Sequence, residues 1–163
     1  MSYYDIIMTK MPEPSSIAPT STDGVQLSRA QYVAIAHFRR QLRTFLAFSE
    51  SAAAGAGLPP QQHQALLAVA GHEGATPPTV GALADALLIA PQTAAELVAR
   101  MAAAGLLRKT QGTGDRRRVE LALTERAEQL LAGLTSAHLL ELESLEPALL
   151  RALSRARRVA AGR

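Results

Sequence analysis

The stretch Thr79–Thr124, TVGALADALLIAPQTAAELVARMAAAGLLRKTQGTGDRRRVELALT, decides the fold. Thr79 is a helix-capping residue, and Val80, Leu83, Ala84 and Leu87 follow it at helical spacing, so a short helix begins here. Ile89-Ala90-Pro91 breaks it. Pro91 fits the first turn of a second helix, whose face Ala94, Leu97, Val98 and Met101 runs until Gly105 stops it. Two short helices joined by a tight turn form a helix-turn-helix. Leu106–Thr110 and Val119–Leu123 then have strand character and flank the polar, glycine-containing segment Gln111–Arg118, which predicts a hairpin, or wing.

Upstream, Gly74–Pro78 is a breaker cluster, and Leu58-Pro59-Pro60 opens a helix that runs through Leu66, Leu67, Val69 and Ala70 to about Gly71. Before it, from Ser28 to the Ala/Gly stretch ending at Gly57, lies a helix with two stripes. Tyr32, Ile35, Ala36, Arg39, Leu42, Arg43 and Leu46 form one, and Val33, His37, Phe38, Gln41, Phe45 and Phe48 the other. A helix with two apolar faces needs two partners. Residues 1–24, crowded with Pro, Ser and Thr from Pro12 to Gly24, read as a flexible tail. Downstream, Thr124 caps a long helix in which Ala127, Leu130, Leu131, Leu134, His138, Leu142 and Leu145 keep the period. Pro147 is expected to kink or restart it ahead of Ala148, Leu149, Ala152, Leu153 and Ala156 and an Arg-rich end.

Composition narrows the function classes. With 163 residues, 48% hydrophobic and 19% charged, the chain fits one ordinary domain with a sizeable core. Its net charge is only +3 although the pI is near 9.8, which points to a local basic site more than a polybasic coat. The absence of cysteine excludes disulfides, thiolate zinc sites and thiol nucleophiles, and it fits a reducing cytoplasm. No apolar run has the length of a membrane span and no signal peptide opens the chain, so a soluble cytoplasmic protein without a membrane partner is expected. With 4% aromatics and no Trp, little material exists for stacking single strands, so any nucleic acid it holds should be duplex. His37, His63, His72 and His138 show no metal-ligand spacing, no catalytic triad context or phosphate loop occurs, and AGAG at Ala54–Gly57 reads as a helix stop. Neither enzymatic activity nor a metal or cofactor is expected.

Between Thr79 and Leu123 the basic residues are Arg100, Arg108, Lys109, Arg116, Arg117 and Arg118. Their placement matters more than their number. Three successive arginines on a hairpin tip can reach phosphates and suit a narrow minor groove, whose negative potential favours guanidinium.

These residues resemble the MarR family of winged-helix transcription factors. Val80–Thr124 is similar to that family's helix-turn-helix and wing, most specifically in the order ELVARM, AAAGLLRK, GDRRR, ELALT, with the family's wing Asp-x-Arg element falling on Asp115 and Arg117. LPPQQHQALLAV resembles the family's second helix. The resemblance implies a mainly α fold with a small β-hairpin wing, and a single MarR-like domain over residues 25–163. Within it, 58–124 form the winged lobe, and 28–54 with 125–160 form dimerisation helices. It further implies a homodimer on a pseudo-palindromic double-stranded operator, acting as a repressor and released by a small aromatic or anionic effector. The recognition helix falls on Pro91–Ala104. The DNA-contact set is then Thr79, Gln92, Thr93, Ala95, Glu96, Arg100, Lys109, Arg116, Arg117 and Arg118. Ala99 stands where the family often has an aspartate bracing the wing arginines, so that the bracing comes from Asp115, from Glu96 or not at all. Glu96 could instead accept from a cytosine amino group or pair with a wing arginine. His37, Arg40 and Arg43 could meet an acidic effector, but a solvated helix face is the expectation for them, and no ligand site is assigned. The competing reading from another class is a helical, dimeric interaction protein whose winged helix no longer binds DNA.

Overall fold

The computed structural model describes residues 27–112 and 119–161. The tail expected at 1–24, and with it the wing-tip residues Asp115, Arg116, Arg117 and Arg118, lie outside the described residues. The element order is α1 (Arg29–Gly55), α2 (Pro60–Ala70), α3 (Val80–Ala86), α4 (Pro91–Ala103), β1 (Leu107–Gln111), β2 (Val119–Leu123) and α5 (Glu125–Ala161). The described chain divides into two compact units. One is Leu58–Gly133 and the other joins 27–57 to 134–161, so the boundary falls within α5.

In the first unit, the apolar faces read from the sequence form the core. Leu66, Leu83, Ile89, Leu97, Val98, Met101 and Leu121 are fully buried, each contributing roughly 1.5–3 kcal/mol through removal from water. α3 and α4 are bent by 110° across their connection, within the range of about 90–120° for a helix-turn-helix. Bond geometry at the end of α3 fixes this turn. Leu88 N–H donates to Asp85 O at 3.2 Å and Ile89 N–H to Ala84 O at 3.0 Å, the paired bonds of a Schellman C-cap. The motif folds buried Ile89 back onto Ala84 and Ala94, with Val80 and Leu87 packed around them. It requires a left-handed residue after the cap, and that residue is Leu88, with φ 55°.

The same motif ends α4, where Gly105 N–H bonds Ala102 O and Leu106 N–H bonds Met101 O. Here the left-handed residue is glycine, φ 68°. Because Leu106 serves this cap, β1 starts at Leu107, one residue later than the sequence pattern predicts. The hairpin pairs Leu107 with Leu123 and Gln111 with Val119, antiparallel. Strand periodicity gives no sign of an isolated bridge between Thr79 and Glu120, where Leu121 N–H donates to Pro78 O at 2.8 Å. Pro77 and Pro78 have no N–H to donate, so this third edge does not extend into a strand.

The second unit is built from α1 and the later part of α5. α1 starts with a capping box in which Ser28 and Gln31 satisfy each other's backbone donors. Of its two stripes, Val33, Phe38, Gln41, Phe45 and Phe48 are half-buried, whereas Tyr32, Ile35, Leu42 and Leu46 are exposed. His138 of α5 lies edge-on to Phe45 and Phe48. Its Nδ1 faces the Leu134 carbonyl and its Nε2 lies 2.7 Å from Ser49 Oγ. A carbonyl can only accept, so Nδ1 carries a proton, and Nε2 pairs with the Ser49 hydroxyl. Pro147 does not start a new helix. α5 runs through it without interruption, since an exposed proline in mid-helix removes one N–H bond and leaves the flanking apolar contacts in place.

The two Schellman caps generate a paired test. A left-handed non-glycine residue costs about 1–2 kcal/mol, and glycine returns part of that as unfolded-state entropy. Leu88→Gly should therefore raise unfolding stability by about 0.5–1 kcal/mol, and Gly105→Ala should lower it by about 1 kcal/mol although no atom lies within 4 Å of the added methyl. Urea denaturation of both variants checks the two signs.

Candidate nucleic-acid interface

α4 presents the surface on which the candidate contacts lie. Pro91 occupies its first turn, where the missing N–H has no intrahelical partner to lose. Burial of Ala94, Leu97, Val98 and Met101 fixes the helix's rotation, because residues three and four apart share a face. Gln92, Ala95, Glu96, Ala99 and Arg100 are consequently exposed, and Thr93 is half-buried at the edge. The small side chains Ala95 and Ala99 leave the helix backbone accessible between the longer ones. Arg100 sits in the last turn, where the helix dipole favours a cation.

Gln92 and Glu96 are joined. Gln92 Nε2 donates to Glu96 Oε1 at 3.2 Å, one turn along the helix. A carboxylate only accepts, so the bond fixes which end of the Gln92 amide faces Glu96 and holds a polar pair on the exposed face. Glu96 thus has a partner on its own helix and keeps further acceptor capacity, while the wing arginines offered to it by the sequence lie outside the described residues.

Thr79 is half-buried and its Oγ1 accepts from Ala82 N at 3.3 Å, capping α3. The hydroxyl proton is not used by this bond, so the group keeps one donor. Lys109 is exposed on β1 opposite buried Leu121, and Arg108 Nη2 turns back to Leu123 O at 3.2 Å. Lys109 and α4 belong to the same compact unit. Thr124 closes that unit: its Oγ1 donates to Gly105 O at 2.8 Å and accepts from Ala127 N at 3.3 Å, while Arg126 Nη1 donates to Ala104 O at 3.4 Å. The carbonyls left open at the end of α4 are thus satisfied by the first turn of α5. The remaining candidates, Arg116, Arg117 and Arg118 with Asp115, lie outside the described residues. Among the described residues no group of three or more His, Asp or Glu is placed to hold a metal ion. No single described helix is long and apolar enough to cross a membrane.

Residues 56–118 match the MarR family model. Over those residues, which make up most of the winged lobe, the chain is similar to the MarR family. Proteins of this family are transcriptional regulators and not enzymes. The fold agrees with solved MarR structures. The regulator AbsC from Streptomyces coelicolor is 20% identical with a TM-score of 0.61, covering 78% of this chain and 83% of that one. A mutant of S. aureus MepR, solved bound to an oligodeoxyribonucleotide, is 16% identical with a TM-score of 0.58, covering 85% of this chain and 100% of that one. CouR from Rhodococcus jostii, solved bound to p-coumaroyl-CoA, is 22% identical with a TM-score of 0.57, covering 68% and 77%. No curated protein matches the chain in sequence.

The Thr79 cap yields a test that does not need a ligand. Thr79→Val keeps the shape and removes the acceptor, so stability should fall by about 1 kcal/mol, and Thr79→Ser should restore most of it. Equal thermal midpoints for the valine and serine variants would show that the cap contributes nothing.

Proposed function

We propose that the protein is a sequence-specific, double-stranded DNA-binding transcriptional repressor that acts as a homodimer on a pseudo-palindromic operator and is released by a small aromatic or anionic effector. The observation that carries this reading is the exposed row Gln92, Ala95, Glu96 and Arg100 on a helix whose opposite face is locked into a MarR-family winged lobe. A rigid helix with polar side chains at one-turn spacing suits the major groove, where Gln and Glu can read base edges. Thr79, Thr93, Arg100 and Lys109 would position the lobe on phosphates, and Arg116–Arg118, braced by Asp115, would reach the minor groove or backbone beside it. Transcription is blocked in the simplest case by occupancy of the operator.

Dimerisation is supported by the helical unit's unfilled surface. Tyr32, Ile35, Leu139, Leu140 and Leu150 are each more than half exposed, against a core in the same unit of little beyond Ala34, Ala53, Leu134, His138 and Ala152. Apolar patches of this kind mark interaction surfaces, and a second copy satisfies them symmetrically. Residues 28–54 and 125–160 would supply the dimer helices. The two recognition helices would then enter major grooves about 34–36 Å apart. Support for DNA and a small effector comes by likeness of fold to MepR with its oligodeoxyribonucleotide and CouR with p-coumaroyl-CoA.

The deciding experiment measures binding against salt on an operator selected from genomic fragments and on a scrambled duplex. Arg117→Ala should weaken both and lower the salt slope by roughly 0.9 for each phosphate that is no longer neutralised. Gln92→Ala should cost about 1–3 kcal/mol on the operator alone and leave the slope nearly unchanged. If Arg117→Ala changes nothing on either duplex, the helical interaction protein becomes the better reading. Sedimentation at micromolar concentration should give a dimer for the parent chain and a monomer for Ile35→Glu; a monomeric parent rejects the dimer.

A further inference from the structure

The helical unit contains a cleft of ≈ 300 Å³ lined by His37 and Gln41 of α1 and by Ala148, Arg151, Ala152 and Arg155 of α5. Its polar side chains stand in two facing pairs, each one helical turn apart: His37 with Gln41, and Arg151 with Arg155. No carboxylate of the described residues lines it. Among the described residues none of these four side chains makes a hydrogen bond or ion pair. Two guanidiniums therefore line one space with an imidazole and an amide, and an anion seated between the guanidiniums would relieve their mutual repulsion.

We infer that this cleft binds a small phosphate monoester. A phosphate monoester carries about −1.5 to −2 charges at pH 7 and three terminal oxygens, so it can engage both arginines through charge-assisted bonds and still accept from Gln41 or His37. A carboxylate has one charge and two oxygens, which one arginine fork satisfies, leaving the second guanidinium without compensation. The space is roughly ten times the ~30 Å³ share of a water molecule. It has room for an organic group beside the phosphate, and the methyls of Ala148 and Ala152 offer that group an apolar floor.

The site stands on the helical unit alone and does not depend on the winged lobe holding DNA.

Isothermal titration of the full chain with phenyl phosphate, and separately with sodium benzoate, at fixed ionic strength is the test. One phenyl phosphate per chain is expected, with benzoate at least about tenfold weaker. Arg151→Gln and Arg155→Gln should each weaken phenyl phosphate by about tenfold or more. Arg40→Gln removes an exposed arginine of α1 outside the cleft and should change nothing. No binding by the parent chain overturns the inference, as does equal affinity for benzoate, an Arg40→Gln loss equal to that of Arg151→Gln, or parent-like affinity in both cleft variants. A duplex arm distinguishes the other source of phosphate: Arg151→Gln and Arg155→Gln should leave duplex affinity and its salt slope unchanged. If they lower both while phenyl phosphate does not bind, the cleft contacts nucleic-acid backbone and the inference falls.

Discussion

Burial of one face of α4 is the constraint from which the rest of the winged lobe follows. Ala94, Leu97, Val98 and Met101 must leave water, and a rigid helix that buries these four can only turn Gln92, Ala95, Glu96 and Arg100 outward. Everything around α4 holds that rotation. The cap after α3 places Ile89 beneath its start, and the cap after α4, tied to Thr124 and Arg126, fixes its end. Exposed polar residues gain a defined orientation only because apolar ones have lost theirs. The fold thus positions the candidate contacts without any of them contributing much to stability.

The two units have opposite relations between area and core. In the winged lobe every element finds an apolar partner within the unit, and bulky side chains such as Leu66, Leu97 and Met101 are fully enclosed. In the helical unit the buried positions are three alanines, Leu134 and His138, and most of the leucines are exposed. Burying His138 is tolerable because both ring nitrogens find oxygen partners and two phenyl edges pack around it. This unit needs more apolar contact than it supplies to itself.

Much of this was legible in the sequence, for reasons that differ by element. The helices of the winged lobe follow from period and breakers, since Thr79, Pro91, Gly105 and Thr124 act through local geometry that does not depend on distant residues. The orientation of α4 was legible for the same reason. The positive φ of Leu88 was not, because leucine is a poor left-handed residue and only the fold's demand for a Schellman turn places it there. Continuity of α5 through Pro147 was also hidden. A restart is one of the two outcomes, with a kink, that proline's local preference suggests, and α5 does not restart there. The Gln92–Glu96 pair lay within reach of spacing, one turn apart on an exposed face, but spacing does not choose between a helical neighbour and a partner across the wing.

The basic cleft shows how one-dimensional spacing fails in the opposite direction. On α1, His37, Arg40 and Arg43 stand at helical intervals and suggest a shared cationic face, yet only His37 reaches the cleft. Its companions there are Arg151 and Arg155, far along the chain, whose Arg-rich surroundings read as a solvated helix end. What brings them together is the inward stripe of each helix. Phe38 and Phe45 on α1, and Leu145, Ala152 and Ala156 on α5, are enclosed to different degrees, and their burial sets which flanking residues line the cleft. Charge clusters across two helices are a consequence of the apolar pattern, and they become visible only once that pattern has been folded.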